Sequence, residues 1–272
     1  MDYKQLIDGM KRFGSDESDI CLHSIGVPAE KIHERVLIAP SWEPPLLPDL
    51  GKTESIFDSS QVKVWNISNE GLEMTYIKTG VGAPVLMDVV LSLGVTKCRQ
   101  ALFMGSVGSL DESIGIGDIV IPQYSICGDG ASRYIASGSL KAGDVFGEKS
   151  TPDEKLYSAL WENTEQVCSQ NRVKCHVGRT FSIDTIFAQF AHIDEIVGLG
   201  CNVIEMETAA AFRAAACSGI ALAAVFSVSD NTITHKSLVS GRTESEMAYR
   251  RLIRKTMIPQ IILKTFRGQP KG

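Results

Sequence analysis

The sequence predicts an α/β protein in which helices cover both faces of a central sheet. Short apolar segments that suit buried strands alternate with segments of helical periodicity along most of the chain, and this alternation is typical of such a sheet. The composition, 44% hydrophobic and 22% charged, is that of an ordinary soluble globular protein. A length of 272 residues suits one large domain or two small ones, and the continuous alternation favours one.

We place the domain at residues 23–272 and treat residues 1–22 as an N-terminal lead-in that is amphipathic or partly disordered. Short apolar runs bounded by glycine, proline or polar turns predict the strands, at 36–40, 62–67, 72–79, 101–104, 118–126, 173–181, 201–205 and 221–228. Apolar residues at intervals of three and four predict the helices, at 80–94, 152–170, 208–218 and 243–266.

Charge and composition argue against several classes of protein. The net charge is −5 with no basic run, which disfavours nucleic-acid binding because phosphate neutralisation needs clustered Lys and Arg. No apolar run reaches the roughly 20 residues of a membrane helix, so we expect no membrane partner. The polar start lacks a signal-peptide pattern, and the seven scattered cysteines suit a reducing compartment, so we expect a cytoplasmic protein. No spacing of His, Cys or Glu resembles a metal site.

Polar and glycine residues gather at the ends of three predicted strands. Residues 105–106, 205–207 and 229–230 each lie at or just past such an end. Ligands bind beyond the carboxyl ends of strands in sheets of this kind. Packing alone does not require three such groups, so the sequence predicts a ligand site at this edge.

Five motifs carry a family resemblance. GVGAP, FMGSVGSL, IGIGDIVIP, VIEMETAAAF and SVSDN occur in this order. Together they resemble the nucleoside phosphorylase family, which includes hexameric purine nucleoside phosphorylases, uridine phosphorylases and methylthioadenosine nucleosidases. The resemblance runs from Val36 to the C-terminus. It implies a twisted mixed sheet, a homo-oligomer that we expect to be a homodimer or a hexamer (a trimer of dimers), a nucleoside substrate, phosphate as co-substrate and no cofactor.

The resemblance implies roles for the residues that would hold the sugar and the base. Glu207 corresponds to the glutamate that binds the ribose hydroxyls, Met206 lies under the sugar, and Glu205 is expected to contact the substrate beside them. Asp230 corresponds to the acid that faces N7 of a purine, and Arg242 to its basic partner. Breaking an N-glycosidic bond builds positive charge on the sugar and negative charge on the base. A carboxylate at the sugar and a neutral acid at the base therefore suit this chemistry.

The phosphate and the 5′ end of the nucleoside involve other segments. Gly105 and Ser106 correspond to a turn whose backbone and hydroxyl hold the attacking phosphate, and we assign Gly82 to the same site. His23 resembles a histidine that reaches the 5′-hydroxyl bound in a neighbouring subunit.

The base-recognition segment leaves two classes of nucleoside open. Asp230 favours purines, whereas ICGDGAS resembles a segment of uridine phosphorylases. The base-reading Gln and Arg of those enzymes fall near Phe190 and His192, and Gln189 is one residue away. Phe187 adjoins the position of an aromatic residue that often stacks on the base. We take Phe187, Gln189 and His192 as candidate base contacts and lean towards a purine.

Two departures from the family pattern leave open whether phosphate or water accepts the ribosyl group. Phosphorolytic members carry arginines in the loop after the first strand and two residues before the GS turn, where this chain has APSWEPPLL and Phe103. Arg133 and Arg179 are candidate substitutes. The nucleosidases use water activated by a glutamate in that loop, near Glu43. The alternatives are therefore a phosphorylase with an altered anion site, a hydrolase with Glu43 as base, and a nucleoside-binding protein with weak catalysis.

Overall fold

The computed structural model describes residues 1–140 and 144–268. Its strands are β1 (Arg35–Ala39), β2 (Lys52–Asp58), β3 (Lys63–Asn69), β4 (Leu72–Lys78), β5 (Gln100–Ser109), β6 (Ile119–Gly128), β7 (Lys149–Ser150), β8 (Cys175–Ile183), β9 (Val203–Glu205) and β10 (Ala221–Asn231). Its α-helices are α1 (Tyr3–Arg12), α2 (Glu17–Ser24), α3 (Ala83–Leu93), α4 (Arg133–Ala136), α5 (Glu154–Asn171), α6 (Ile186–Gln189), α7 (Ile193–Gly198), α8 (Thr208–Ser218), α9 (Glu244–Leu252) and α10 (Ile258–Gly268).

All the strands belong to one mixed sheet. Its order is β10-β6-β8-β9-β5-β1-β4-β3-β2, and β7 pairs with β6. β10 also pairs in parallel with β5, so β5, β9, β8, β6 and β10 close into a ring. The strands β1, β4, β3 and β2 extend from this ring as an open wing. The predicted α/β fold with a mixed sheet is confirmed.

Helices pack on both faces of the sheet. On one face α3 and α8 contact each other and bury residues such as Leu86, Val90 and Phe212. On the other face α5 and α10 contact each other over a second apolar cluster that includes Leu160 and Ile261. The alanines of α8 are short enough to let this helix lie close to α3, and Ala210, Ala211 and their neighbours are fully buried.

The two longest parallel strands run further than predicted. β5 continues through Gly105 and Ser106 to Ser109, and β10 continues through Ser229 and Asp230 to Asn231. The two strands remain paired over this extension, with Ser227 opposite Ser106 and a bulge between Val228 and Asp230. The placement of residues 105–106 in a turn and of 229–230 past a strand end was therefore wrong. Both groups lie in strands, which fix their backbones.

The first 24 residues form two helices. α2 ends at Ser24, so the boundary drawn at residue 23 falls inside this helix. α2 packs on α3, where the buried Cys21 thiol donates to the Ser92 carbonyl at 3.4 Å. The amino group of Met1 donates to the Ile135 carbonyl at 3.1 Å. The lead-in is therefore folded against the rest of the chain. Across residues 1–140 and 144–268, no helix has the length and apolarity needed to cross a bilayer.

The segment predicted as one C-terminal helix is α9, a π-helical turn at Ile253–Met257, and α10. A capping box starts it, because the Thr243 side chain accepts the Glu246 N–H and the Glu246 carboxylate accepts the Thr243 N–H. We call this continuous element the C-terminal rod. β2 escaped prediction because its residues are mostly exposed and polar, so the strand has no apolar alternation.

Candidate active site

One cavity of about 220 Å³ collects most of the predicted site residues. It opens where β5, β9 and β10 carry their functional side chains, and the loop after β1 forms another wall. The predicted residues that line it are Gly105, Ser106, Gln189, Glu205, Met206, Glu207 and Asp230. A larger groove at the start of β1 and β4, lined by His33, Arg35 and Glu73 among others, contains none of the predicted site residues.

Glu205 organises the seam between β9 and α8. Its Oε1 accepts the Ser182 hydroxyl at 2.5 Å, and its Oε2 accepts the N–H groups of Glu207 and Thr208 at 2.7 and 2.8 Å. These N–H groups belong to the start of α8, where a helix needs acceptors. Burial raises the pKa of Glu205, and the hydrogen bonds oppose that rise. Both oxygens thus already accept hydrogen bonds from the protein, which gives Glu205 a positioning role at this seam. Glu205 also lines the cavity, and its contact with the substrate stays a prediction.

Glu207 is the less satisfied carboxyl of the pair. It is buried, and its Oε1 accepts the Gly82 N–H at 2.7 Å. Burial and the neighbouring charge of Glu205 raise its pKa to about 8. The half-buried Met206 lies between the two glutamates in sequence and lines the same cavity.

The structure corrects the assignment of Gly82. Gly82 precedes α3 with φ +122°, and its N–H is directed at Glu207. An N–H that already bonds a carboxylate is not free to bind phosphate. Gly82 therefore orients the carboxyl of Glu207.

Asp230 lies in the same cavity, on the strand next to Ser106. Its Oδ1 accepts the Ser229 hydroxyl at 2.5 Å. Burial raises the pKa of Asp230, opposed by this hydrogen bond and by the charges of Arg250 and Arg242. A raised pKa favours the neutral acid that proton donation to a base requires.

Arg242 does not form an ion pair with Asp230. Its Nη1 donates to the Ser229 carbonyl at 3.2 Å, and its Nη2 donates to the Leu238 carbonyl. These bonds hold the loop after β10 against the strand. The predicted role of Arg242 as the direct partner of the catalytic acid is therefore corrected, because its guanidinium is bound to backbone carbonyls.

Arg250 in α9 is the cation that sequence reasoning missed. Its Nη2 donates to the Ser106 hydroxyl at 2.8 Å, although 144 residues separate the two in sequence. Its charge acts on Asp230 more strongly than that of Arg242 does. The candidate substitutes Arg133 and Arg179 lie elsewhere. Arg133 approaches Asp144 at 4.0 Å, and the Arg179 Nε donates to Gly200.

Only part of the predicted base-recognition set reaches the cavity. Ile186 and the buried Gln189 line it, at the two ends of α6. Phe187 is 94% exposed and points away, because α6 is a single turn and its neighbouring residue Ile186 takes the inner face. The His192 ring lies 3.5 Å from the Glu195 carboxylate, outside the cavity. The assignments of Phe187 and His192 as base contacts within one subunit are thus corrected.

Two further candidates lie outside the cavity: His23, assigned to the 5′-hydroxyl bound in a neighbouring subunit, and Glu43, the candidate base for water. His23 is exposed on α2, in a groove with Tyr3 and Asp88. The Glu43 carboxylate pairs with Lys78 at 2.7 Å and with Lys63 at 3.6 Å. The hydrogen bond to Lys78 comes first among the causes that lower the pKa of Glu43. A carboxylate that two lysines neutralise is a weak base, and this one does not line the cavity, so Glu43 is not placed to activate water there.

Within the described part of the chain, no three His, Cys, Asp or Glu side chains are arranged to hold a metal ion. The groups in the cavity are carboxyls, serine hydroxyls, an amide and apolar side chains. Such a set can bind hydroxyl groups, donate a proton and contact an anion.

The chain is similar in sequence to several known proteins. In the curated proteins, the chain is 26% identical over 182 residues to a guanosine phosphorylase of Halorubrum lacusprofundi, covering 66% of this chain and 70% of that protein. It is 25% identical over 138 residues to the uridine phosphorylase of Escherichia coli, about half the length of each. It is 23% identical over 181 residues to a DeoD-type purine nucleoside phosphorylase of Exiguobacterium, covering 65% of this chain and 70% of that protein.

The fold is also found in solved structures. A crystal structure of uridine phosphorylase from Vibrio fischeri superposes with a TM-score of 0.71 over 88% of this chain and 93% of that one, at 16% identity. Residues 43–256 match the model of the phosphorylase superfamily. The predicted resemblance to nucleoside phosphorylases is confirmed, and the chain belongs to the phosphorylase superfamily.

Proposed function

We propose that this protein is a nucleoside phosphorylase that cleaves the N-glycosidic bond of a purine nucleoside with phosphate, giving the free base and ribose 1-phosphate. One observation carries the proposal: the carboxyls of Glu207 and Asp230 line one cavity together with the Ser106 hydroxyl. These are the groups that a sugar, a departing base and an attacking anion need.

The sugar would be held by Glu207 above Met206. A carboxylate accepts hydrogen bonds from two adjacent ribose hydroxyls, and bonds to a charged acceptor are about twice as strong as neutral ones. Because the pKa of Glu207 is about 8, the carboxyl is mostly protonated at neutral pH in the empty cavity, and hydrogen bonds from the ribose hydroxyls would favour its ionised form. The negative charge of that form would favour the oxocarbenium character that develops as the bond to the base breaks. The two N–H groups near the pair, from Gly82 and Glu207 itself, keep the carboxyl pointing into the cavity.

The base would leave with help from Asp230. Burial raises the pKa of Asp230, which favours the neutral acid that can donate a proton to N7 of a purine. Ser229 bonds Asp230 Oδ1, which leaves Oδ2 to face the base. This acid is the reason that we favour a purine substrate.

Gln189 supports a second candidate, uridine phosphorolysis. An amide side chain offers both a donor and an acceptor, so it can pair with the edge of a uracil as well as with that of a 6-oxopurine. Gln189 lines the cavity at the end of α6. The comparison proteins likewise include both guanosine and uridine phosphorylases.

We further propose a homo-oligomer, a homodimer or a hexamer built from dimers, in which His23 serves a neighbouring subunit, and a role in purine salvage in the cytoplasm. Exposed apolar side chains support a partner surface. Leu238, which lines the cavity, is 56% exposed, and Phe187 and Val239 are each more than 90% exposed. Sedimentation would give the subunit number.

A panel of nucleosides incubated with and without phosphate tests the proposal. We expect release of purine base that needs phosphate and yields ribose 1-phosphate. Release that persists without phosphate and disappears in Glu43→Gln would support the hydrolase instead. Thermal stabilisation by nucleosides without any release would support a binding protein, and release of uracil alone would support the second candidate.

A further inference from the structure

The part of the cavity around Gly105 and Ser106, where we expect the phosphate, has polar groups but no charged side chain among its nearest lining residues. Gly105 and Ser106 form the floor, and the residues facing them from the loop after β1 and from β5 are Pro40, Ser41 and Phe103. Phe103 is buried and packs edge-on against Phe226, with ring centroids 5.2 Å apart. A phosphate dianion here would meet no cation from these three residues, so its charge must be balanced from elsewhere in the fold.

The C-terminal rod supplies that charge. Arg250 Nη2 donates to Ser106 Oγ at 2.8 Å. A hydroxyl that accepts this bond still has its own hydrogen to donate, so Ser106 can bond an anion in the cavity while it accepts the bond from Arg250. A guanidinium is also the side chain best shaped to bind two phosphate oxygens at once.

Arg250 and Arg254, both in the C-terminal rod, lack hydrogen-bond partners for part of the guanidinium group in the described structure. The Nε atoms of Arg250 and Arg254 are buried and have no hydrogen-bond partner in the described structure. The ion pairs formed by residues 1–140 and 144–268 include neither side chain. A buried charge without a counterion is costly unless an anion arrives to pair with it.

The surrounding charges make this region electropositive. Arg254 and Arg242 lie close enough to Arg250 to disfavour its charge, and only Asp230 favours it. Burial comes first among the causes that lower the pKa of Arg250 to about 10, so the side chain remains protonated at neutral pH. Of the three arginines, Arg250 is the one that bonds a residue of the cavity lining, Ser106.

The backbone fixes Arg250 in place. Gly117, at φ +90°, lies so close to α9 that a Cβ there would be 3.0 Å from the Arg250 nitrogen. The Arg254 guanidinium lies 5.9 Å from the centroid of the Trp42 ring, in the loop whose residue Ser41 lines the cavity. Arg254 is in the π-helical turn, and such turns are frequent at functional sites.

We propose that Arg250, supported by Arg254, is the cationic ligand of the phosphate co-substrate, which it reaches beside Ser106. This inference rests on the proposed phosphorolysis and adds to it the residue that binds the acceptor. It also explains how the chain can hold phosphate although the loop after β1 and position 103 contribute no cation.

Steady-state kinetics with each substrate varied in turn, together with calorimetric titration of inorganic phosphate, tests the assignment. We expect Arg250→Gln to raise the KM for phosphate about 10- to 100-fold, as loss of a charged hydrogen bond predicts, and to leave the KM for nucleoside within about twofold. Arg254→Gln should have a smaller effect of the same kind. Arg251→Gln, an exposed neighbour on the same helix, is the matched control and should behave as the unaltered protein.

The outcomes separate the inference from the proposed function. If the unaltered protein is phosphorolytic and a folded Arg250→Gln keeps its phosphate KM, or loses affinity for both substrates equally, the assignment of Arg250 is overturned and the function stands. If the protein binds phosphate through Arg250 but cleaves no nucleoside, the function fails and the anion site stands. Absence of phosphate binding and of phosphorolysis overturns both. If Arg250→Gln does not fold, Arg250→Lys, which keeps the charge, is measured instead. Its phosphate KM should rise by less than the roughly 10- to 100-fold expected for Arg250→Gln.

Discussion

Glu205 Oε2 accepts the N–H of Glu207 at 2.7 Å, so one glutamate of the pair holds the backbone of the other. Glu205 also accepts hydrogen bonds from Ser182 and Thr208, whereas the Glu207 carboxyl accepts one from the Gly82 N–H. Two carboxyls one residue apart therefore divide their tasks: the first builds the start of α8, and the second is left for a ligand.

Replacing Glu207 should impair the sugar site without unfolding the protein. Glu207→Gln keeps the shape of the side chain and removes its charge, which is worth about 1.5–3 kcal/mol in a hydrogen bond to a ligand. We expect kcat/KM for the nucleoside to fall at least tenfold. Glu162→Gln is the control, because the exposed Glu162 lies outside the cavity, and equal loss in the two variants would contradict the assignment.

Replacing Glu205 should act on stability. Glu205→Gln leaves one oxygen for three donors and weakens the start of α8, so the free energy of unfolding should fall by about 1–3 kcal/mol. Urea denaturation measures this loss. The exposed Glu162 on α5 provides the control Glu162→Gln, which should change stability by less than about 0.5 kcal/mol. A Glu205→Gln protein as stable as the control would show that the hydrogen bonds at this seam are dispensable.

The pH dependence of stability should report the proton on Glu207. Its pKa is about 8 in the folded chain and near 4.5 when unfolded, so the folded state holds the proton more tightly. The stabilisation of the folded state by this tighter proton binding is fully present below pH 4.5. It decreases by up to about 1.4 kcal/mol per pH unit as the pH rises to 8. Urea denaturation at several pH values should show a flatter profile for Glu207→Gln than for Glu162→Gln. Parallel profiles would mean that Glu207 is ionised throughout.

Removing the acid at the base should slow purine release. Asp230→Asn keeps the bond from Ser229 possible but has no acidic proton, and general acids of this kind contribute about 10²- to 10⁴-fold. We expect kcat for a purine nucleoside to fall by at least 10²-fold, measured by base release. Nucleosides with a leaving group that needs no protonation should be affected much less. Equal slowing of both substrates would argue that Asp230 is structural.

Gly117 should be intolerant of any side chain. A Cβ there would lie 2.6 Å from the Tyr249 ring and would meet the backbone of α9, and φ +90° is a strained conformation for alanine. We expect Gly117→Ala to lower the free energy of unfolding by about 1–3 kcal/mol and to raise the phosphate KM as Arg250 is displaced. Gly138→Ala meets nothing within 4 Å and is the control. Unchanged phosphate kinetics in Gly117→Ala would show that α9 adapts without moving Arg250.

The sequence contained enough information for the sheet, its covering helices and the three strand-end clusters. It was insufficient where the outcome depended on tertiary pairing. The apolar run of β5 ends at Met104, yet pairing with β10 extends the strand to Ser109 through residues that have no strand signal of their own. The sequence alone suggests that Gly82 binds phosphate. In the fold its N–H instead bonds the carboxyl of Glu207, which is 125 residues away in sequence.

Arg250 left no recognisable trace in the sequence for the same reason. It occupies a helix with several other charges, where a solvated side chain is the ordinary interpretation. A single sequence does not reveal which face of α9 turns towards Ser106, because that depends on the close approach of Gly117 and on the packing of α10. Similarly, which of Ile186 and Phe187 faces inward depends on one short helical turn.

The C-terminal rod joins two tasks that are usually separate. Its later turns fill the interior through Ile261 and Phe266, while its earlier turns carry Arg250 to the cavity. If Arg250 binds phosphate, a single proteolytic cut between these turns would abolish phosphate binding. Glu207, the proposed ribose ligand at the start of α8, would be unaffected. Such a clipped molecule would hold a nucleoside without consuming it, and limited proteolysis followed by separate titrations of nucleoside and phosphate would reveal it.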